Sequence, residues 1–115
     1  MNESLVAGID IGGSHITAVL IDMKERTVLE QTRTRMPIQS QAAADQVIKD
    51  WSTAILKSFE GFPIENAQLA FAMPGPFDYD KGISYMQNQD KYDALYGLDI
   101  KTLLAEELGV LTEQI

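Results

Sequence analysis

The residues best suited to chemistry lie near the start of the chain, in the segment 10–17, which reads Asp-Ile-Gly-Gly-Ser-His-Ile-Thr. Two glycines let consecutive backbone N–H groups approach an anion with no Cβ in the way, which is how phosphate nests are built. An aspartate beside phosphate needs Mg²⁺ between the two, usually through water, because like charges repel. We therefore predict a phosphate site with Asp10 as its metal-facing group, formed by Asp10, Gly12, Gly13, Ser14, His15 and Thr17.

A tight hairpin turn capped by Asp10 is the competing interpretation of this segment, since Gly-Gly pairs are common in turns that bind nothing. Function is favoured because the aspartate ends a strand otherwise made of Leu, Val and Ile, where burial of a carboxylate would be costly. His15, the only histidine, is either a phosphate contact or an exposed turn residue.

A second candidate site follows the apolar run 67–73, where the chain continues as Pro74-Gly75-Pro76. Ligands bind at the carboxyl ends of strands in open α/β sheets. The glycine would let a small polar ligand lie against the backbone, although this segment alone favours a plain turn.

Hydrophobic patterning predicts the elements that must position these residues. Two apolar runs separated by four residues indicate a hairpin around Gly12-Gly13. Ser40 and Asp99 are the expected N-caps of two helices, and Gly109 is the expected C-cap of the second. The predicted order is β-β-β-α-β-α with a mixed sheet, formed by strands 5–11, 16–21, 27–36 and 67–73, a helix between Ser40 and Gly61, a hairpin or loop over 77–93, and a helix from Asp99.

Composition restricts the function classes. The chain has 115 residues and a net charge of 9 − 17 = −8, which argues against a nucleic-acid surface or an anionic membrane as partner. It has no cysteine, so disulfides and cysteine-based zinc sites are excluded. The first residues lack the pattern of a signal peptide, so we expect a cytoplasmic protein.

Together, the two motifs resemble those of ROK sugar kinases, which belong to the actin/hexokinase-type, ribonuclease H-like superfamily. Segment 10–17 is similar to the first phosphate motif of that superfamily, and Pro74-Gly75-Pro76, with Asp78 and Gly82 after it, resembles the segment that distinguishes ROK proteins. The resemblance implies that residues 1–115 are the N-terminal α/β domain of a glucokinase-like kinase, in a chain that ends within its architecture.

The resemblance also implies roles for individual residues. Asp10 would face Mg²⁺, and residues 12–14 would meet the terminal phosphates of ATP. Pro74 and Gly75 would line the sugar, with Asn88 near it. The sequence departs from the family at several positions, which leaves the sugar open: Ser14 for Thr, His15 for Lys, Ala70 and Ala72 for glycine, and the polar segment 89–92 for an apolar one.

The family's general base is an aspartate that we expect beyond Ile115, so no catalytic residue is assigned within this chain. We expect the 115-residue chain alone to be inactive and its C-terminal domain to be missing. Leu111 and Ile115 would then be exposed, which favours a homo-oligomer. Residues 90–93 read as a solvated loop, with Tyr92, Leu95 and Tyr96 as alternative contacts to the missing domain.

Two other functions compete with a sugar kinase. A sugar-sensing ROK transcriptional regulator would need a helix-turn-helix before the first strand, and only four residues precede Leu5. A non-catalytic actin-like ATPase domain is the other alternative, and Pro74-Gly75-Pro76 counts against it.

Overall fold

The computed structural model describes residues 4–87 and 91–115. Within them the chain forms a mixed α/β fold whose order confirms the prediction, with a small extra hairpin inside the segment expected to be a hairpin or loop. The elements are β1 (Leu5–Ile11), β2 (His15–Asp22), β3 (Thr27–Pro37), α1 (Ala44–Ser58), β4 (Gln68–Ala72), β5 (Phe77–Asp78), β6 (Ile83–Ser84) and α2 (Ile100–Leu108).

The main sheet has the strand order β3-β2-β1-β4. Strand β1 is antiparallel to β2, as the hairpin prediction requires, and parallel to β4. Because parallel strands end at the same edge, the turn after β1 and the chain leaving β4 lie side by side. In register, Asp10 pairs with Thr17 on one side and with Ala72 on the other.

Helix α1 covers one face of this sheet, and its buried positions follow the helical spacing of the sequence. Trp51 is fully buried, and Ser58 fixes the end of the helix by donating to the Ala18 carbonyl over 3.1 Å. The buried strand residues on the covered face are Ala7, Ile9 and Ile11 of β1 with Ile16, Ala18 and Leu20 of β2. The opposite face, which carries Asp10, is open.

The two predicted helix caps have different outcomes. Asp99 is confirmed, because its carboxylate accepts from Thr102 N–H over 3.1 Å, and Gly109 ends α2 with φ 72°. Ser40 as the N-cap of α1 is wrong: the helix begins at Ala44 with Ala43 as its N-cap and no side-chain cap. A turn between residues 39 and 42 comes before the helix instead.

Neither helix in the described ranges has the length and apolar character that a membrane span requires.

Candidate functional site

Asp10 is the last but one residue of β1, and its carboxylate is exposed. It borders an open depression with Thr17, Ala70 and Ala72, whose small or polar side chains leave room on this face of the sheet. The expectation that Asp10 lies at the end of its strand agrees with this placement. The argument from a buried carboxylate does not apply, because the side chain lies on the uncovered face.

Residues 12–14 form the turn between β1 and β2. Gly12 N–H donates to the His15 carbonyl over 2.9 Å and closes the turn. Within the described residues, no backbone hydrogen bond uses the N–H of Gly13 or Ser14, so both donors are available to an anion. The Ser14 hydroxyl and His15 Nδ1 are 3.0 Å apart on the exposed side of the turn.

Two arginines of β3, Arg35 and Arg33, have different surroundings near the depression. Thr17 pairs with Arg35 in register, so Asp10, Thr17 and Arg35 form a row across one face of three strands. Arg33 also borders the depression, but its guanidinium binds Glu30 with contacts of 2.9 and 3.1 Å. That hydrogen bond lowers the pKa of the Glu30 carboxyl.

Pro74 and Gly75 lie just after β4, two and three residues beyond Ala72, the strand position that pairs with Asp10. The chain is fixed there by Tyr79, whose hydroxyl accepts from Met73 N–H over 2.8 Å and donates to the Met73 carbonyl over 3.2 Å. The structure therefore brings Pro74 and Gly75 to the same edge as the turn 12–14. Asn88, the third predicted sugar contact, lies outside the described residues.

An apolar cavity of about 80 Å³ lies behind this edge, between β4, the small hairpin and α2. Ile115 contributes to its wall and is partly buried, so the expectation of an exposed Ile115 is wrong. Leu111 is confirmed as exposed, at 64% of its maximum. The wall of the apolar cavity is formed mainly by Phe71, Met73, Phe77, Ile100 and Leu104.

Tyr92 is the functional-site residue that the sequence did not predict. The expectation of a solvated loop or of contacts to another domain is wrong for Tyr92 and Leu95, because both are completely buried within this chain. The Tyr92 hydroxyl donates to the Gly12 carbonyl over 2.5 Å, and its ring meets the edge of Trp51 at a centroid distance of 5.2 Å. Tyr96 is 48% exposed.

Burial raises the pKa of Tyr92, with the neighbouring Trp51 side chain opposing that shift in part. The hydroxyl therefore stays protonated and remains a donor to the turn. The only signal in the sequence was the aromatic residue itself, in a segment of charged residues without helical or strand periodicity, and such a segment predicts exposure.

The residues at this site can be compared with the ligands that Mg²⁺, which the sequence implies, normally takes. The ion usually keeps several waters and takes one or two carboxylates together with phosphate oxygens. Asp10 supplies one exposed carboxylate beside two free N–H donors, so the donor set fits a Mg²⁺–phosphate group. Within residues 4–87 and 91–115 no three His, Cys, Asp or Glu side chains gather in one place.

Comparison with known proteins gives matches in structure only. No protein-family model and no curated sequence match the chain. The polyphosphate/ATP-glucomannokinase of Arthrobacter sp. strain KM matches with a TM-score of 0.75 and 23% identity over 93% of this chain and 42% of its own. The ROK hexokinase of Thermus thermophilus gives 0.67 and 21% over 92% and 33%.

A third match is the ROK glucokinase of Streptomyces griseus, solved with glucose and AMPPNP, with a TM-score of 0.66 and 19% identity over 92% of this chain and 31% of its own. The chain therefore has the fold of one part of these sugar kinases and spans less than half of their length. The predicted actin/hexokinase-type fold is confirmed.

Proposed function

We propose that residues 1–115 are the N-terminal domain of a ROK, glucokinase-like sugar kinase that transfers the γ-phosphoryl group of ATP to a sugar hydroxyl. One observation carries the proposal. Because β1 and β4 are parallel and in register at Asp10 and Ala72, the phosphate turn and the Pro74-Gly75 turn lie next to each other. A donor phosphate and a sugar would meet between them.

The residues of this chain would act by positioning and by charge. The N–H groups of Gly13 and Ser14 would bind the terminal phosphates, with the hydroxyl of Ser14 and the side chains of His15 and Thr17 beside them. Bound Mg²⁺ supplies charge neutralisation, and Asp10 would orient it through water. Phosphoryl transfer depends mainly on such positioning and electrostatics.

Pro74 and Gly75 would form one wall of the sugar pocket, with Asn88 as a further proposed contact. The general base and the adenosine site are proposed to come from a C-terminal domain beyond Ile115. The proposed ligands follow the structural neighbours. One of them was solved with glucose and AMPPNP, and another is a polyphosphate/ATP-glucomannokinase. The cytoplasmic location and a homo-oligomer remain predictions.

Binding to the 115-residue chain tests this proposal directly. Titration with Mg-ATP should shift the amide NMR signals of Gly13 and Ser14, and glucose should shift that of Gly75. Asp10→Asn should weaken Mg-ATP binding about tenfold, the equivalent of about 1.4 kcal/mol for a lost charge-assisted contact, and leave glucose binding unchanged.

Asp22→Asn is the matched control, because Asp22 lies at the far end of β2, where its carboxylate caps Lys24 and Glu25 N–H groups that an amide oxygen can also cap. Equal effects of the two variants would contradict the metal role of Asp10. A coupled assay with ATP, Mg²⁺ and several hexoses should detect no sugar-dependent ADP release from this chain. Release that Asp10→Asn abolishes would mean that the chain is catalytically complete.

A further inference from the structure

Lys91 lies directly against the phosphate turn. A Cβ placed on Gly13 would be 3.2 Å from Lys91 Cδ and 4.0 Å from its Nζ. The lysine stem therefore occupies the space that the missing side chain of Gly13 leaves, and its ammonium group is beside the turn. Gly13 does not have a positive φ. The glycine therefore serves the close approach of Lys91 and not an unusual backbone conformation.

The backbone that carries Lys91 is fixed by the next residue. Tyr92 N–H donates to the Ser40 carbonyl over 2.7 Å, and the Tyr92 hydroxyl donates to Gly12. Its ring is enclosed against Trp51, and its backbone is left-handed, with φ 57° and ψ 20°. These contacts hold the chain at position 91 at a set distance from the turn, although Lys91 and Gly13 are 78 positions (91 − 13) apart in the sequence.

The local charge makes a cation at this point useful. The chain has a net charge of −8, and Asp10 adds a carboxylate at the end of β1 that repels an approaching phosphate. Among the described residues no acidic side chain forms an ion pair with Lys91. Its ammonium group can donate three hydrogen bonds to phosphate oxygens.

We propose that Lys91 is a further binding residue for the terminal phosphates of the donor, held over the Gly12–Gly13 turn by Tyr92. The inference rests on the proposed kinase site and adds to it the cation that the motif 10–17 does not contain. Lys91 contacts the phosphate at the turn, while Asp10 faces the metal on the open face of the sheet. Tyr92 is a positioning residue, because it acts through Gly12 and through the backbone of Lys91.

Inorganic tripolyphosphate is the probe, since it presents terminal phosphates without a base or a sugar. Its binding to the 115-residue chain is followed through the amide NMR signals of Gly12 and Gly13 at constant Mg²⁺. Lys91→Met, which keeps an apolar stem and removes the charge, should weaken binding about five- to tenfold. Lys91→Arg, which keeps the charge, should remain within about twofold of the unaltered chain.

Lys49→Met is the matched control, because Lys49 is an exposed lysine on α1 that forms no ion pair with the described residues. It removes the same charge and should change tripolyphosphate binding by less than twofold. If Lys91→Met and Lys49→Met bind equally well or equally poorly, the role of Lys91 is overturned and the proposed function stands. If the unaltered chain binds neither tripolyphosphate nor Mg-ATP, both are overturned.

Discussion

Two regions meet at the carboxyl edge of the sheet, and they are built in different ways. The phosphate turn joins two strands that are neighbours in sequence, so its shape follows from a short run of residues around Gly12 and Gly13. The second region is residues 77–87 and 91–96, which contain two strands of two residues each and a 3-10 helix at Asp93–Leu95, and contacts with distant parts of the chain hold it. The first region could be predicted from a motif, whereas the second could not.

The distant contacts are specific. The carbonyl of Gly82 accepts the N–H groups of Ile100 and Lys101 over 2.7 and 3.3 Å, so the small hairpin satisfies the start of α2. Tyr92 reaches Gly12 across 80 residues of sequence. The second region therefore supports both the second helix and the phosphate turn.

The largest expected effect of a single change in the second region is at Gly82. Its φ is 72°, and a Cβ there would overlap the Lys101 side chain. Gly82→Ala should therefore lower the free energy of unfolding by about 2–4 kcal/mol, because left-handed strain adds to overpacking against α2. Urea unfolding followed by circular dichroism measures this loss.

Gly97→Ala is the matched control, since Gly97 has φ 76° but nothing within 4 Å of an added Cβ. It should lose only the left-handed strain, about 1–2 kcal/mol. Equal losses at the two glycines would mean that the contact of the small hairpin with α2 carries no stability, and the contrast between the two regions would fail.

The two helix caps explain which features could be read from the sequence. Asp99 caps α2 because the acceptor and the N–H of Thr102 are three residues apart, and the same short range makes the pattern visible in sequence. Ser40 has the right residue type, but a turn after it moves the start of α1 to Ala44. Residue type predicts a cap only where the chain enters the helix directly.

The residues of the candidate site differ in the same way: some follow from local sequence patterns and others do not. Asp10, Gly12 and Gly13 lie where the sequence placed them, because strand ends and glycine turns are local features. The burial of Tyr92 depends on Trp51, a helix residue that faces it only once α1 and the segment 91–96 have packed together. No pattern within the segment 90–93 contains that information, so its polar composition predicted solvent exposure instead.

An intermediate effect on stability is expected when the hydrogen bond between Tyr92 and the phosphate turn is removed. Tyr92→Phe keeps the ring against Trp51 and removes the donor to the Gly12 carbonyl. The loss in the free energy of unfolding should be about 1 kcal/mol, the usual net value of one hydrogen bond. The amide signals of Gly12 and Gly13 should shift as well, since the turn loses its contact.

Tyr96→Phe serves as the comparison, because Tyr96 is exposed and its ring contact with Tyr85, at 6.0 Å, survives the change. It should alter stability by less than about 0.5 kcal/mol. If Tyr92→Phe behaves like Tyr96→Phe, the phosphate turn does not depend on the second region, and the positioning role of Tyr92 is lost with it.

The smallest expected effect is in the pH dependence of stability. The pKa of Tyr92 is raised by burial, so the folded chain holds this proton more tightly than the unfolded chain does. The stabilisation is fully present below the ordinary tyrosine value of about 10 and is lost as pH rises through the higher pKa of the folded state.

Lysines titrate in the same range, but they are common to the unaltered chain and to Tyr92→Phe. The stability advantage of the unaltered chain over Tyr92→Phe should therefore shrink as pH rises above about 10, as measured by urea unfolding at each pH. An advantage that stays constant over this range would mean that the Tyr92 hydroxyl is not enclosed between Trp51 and the turn.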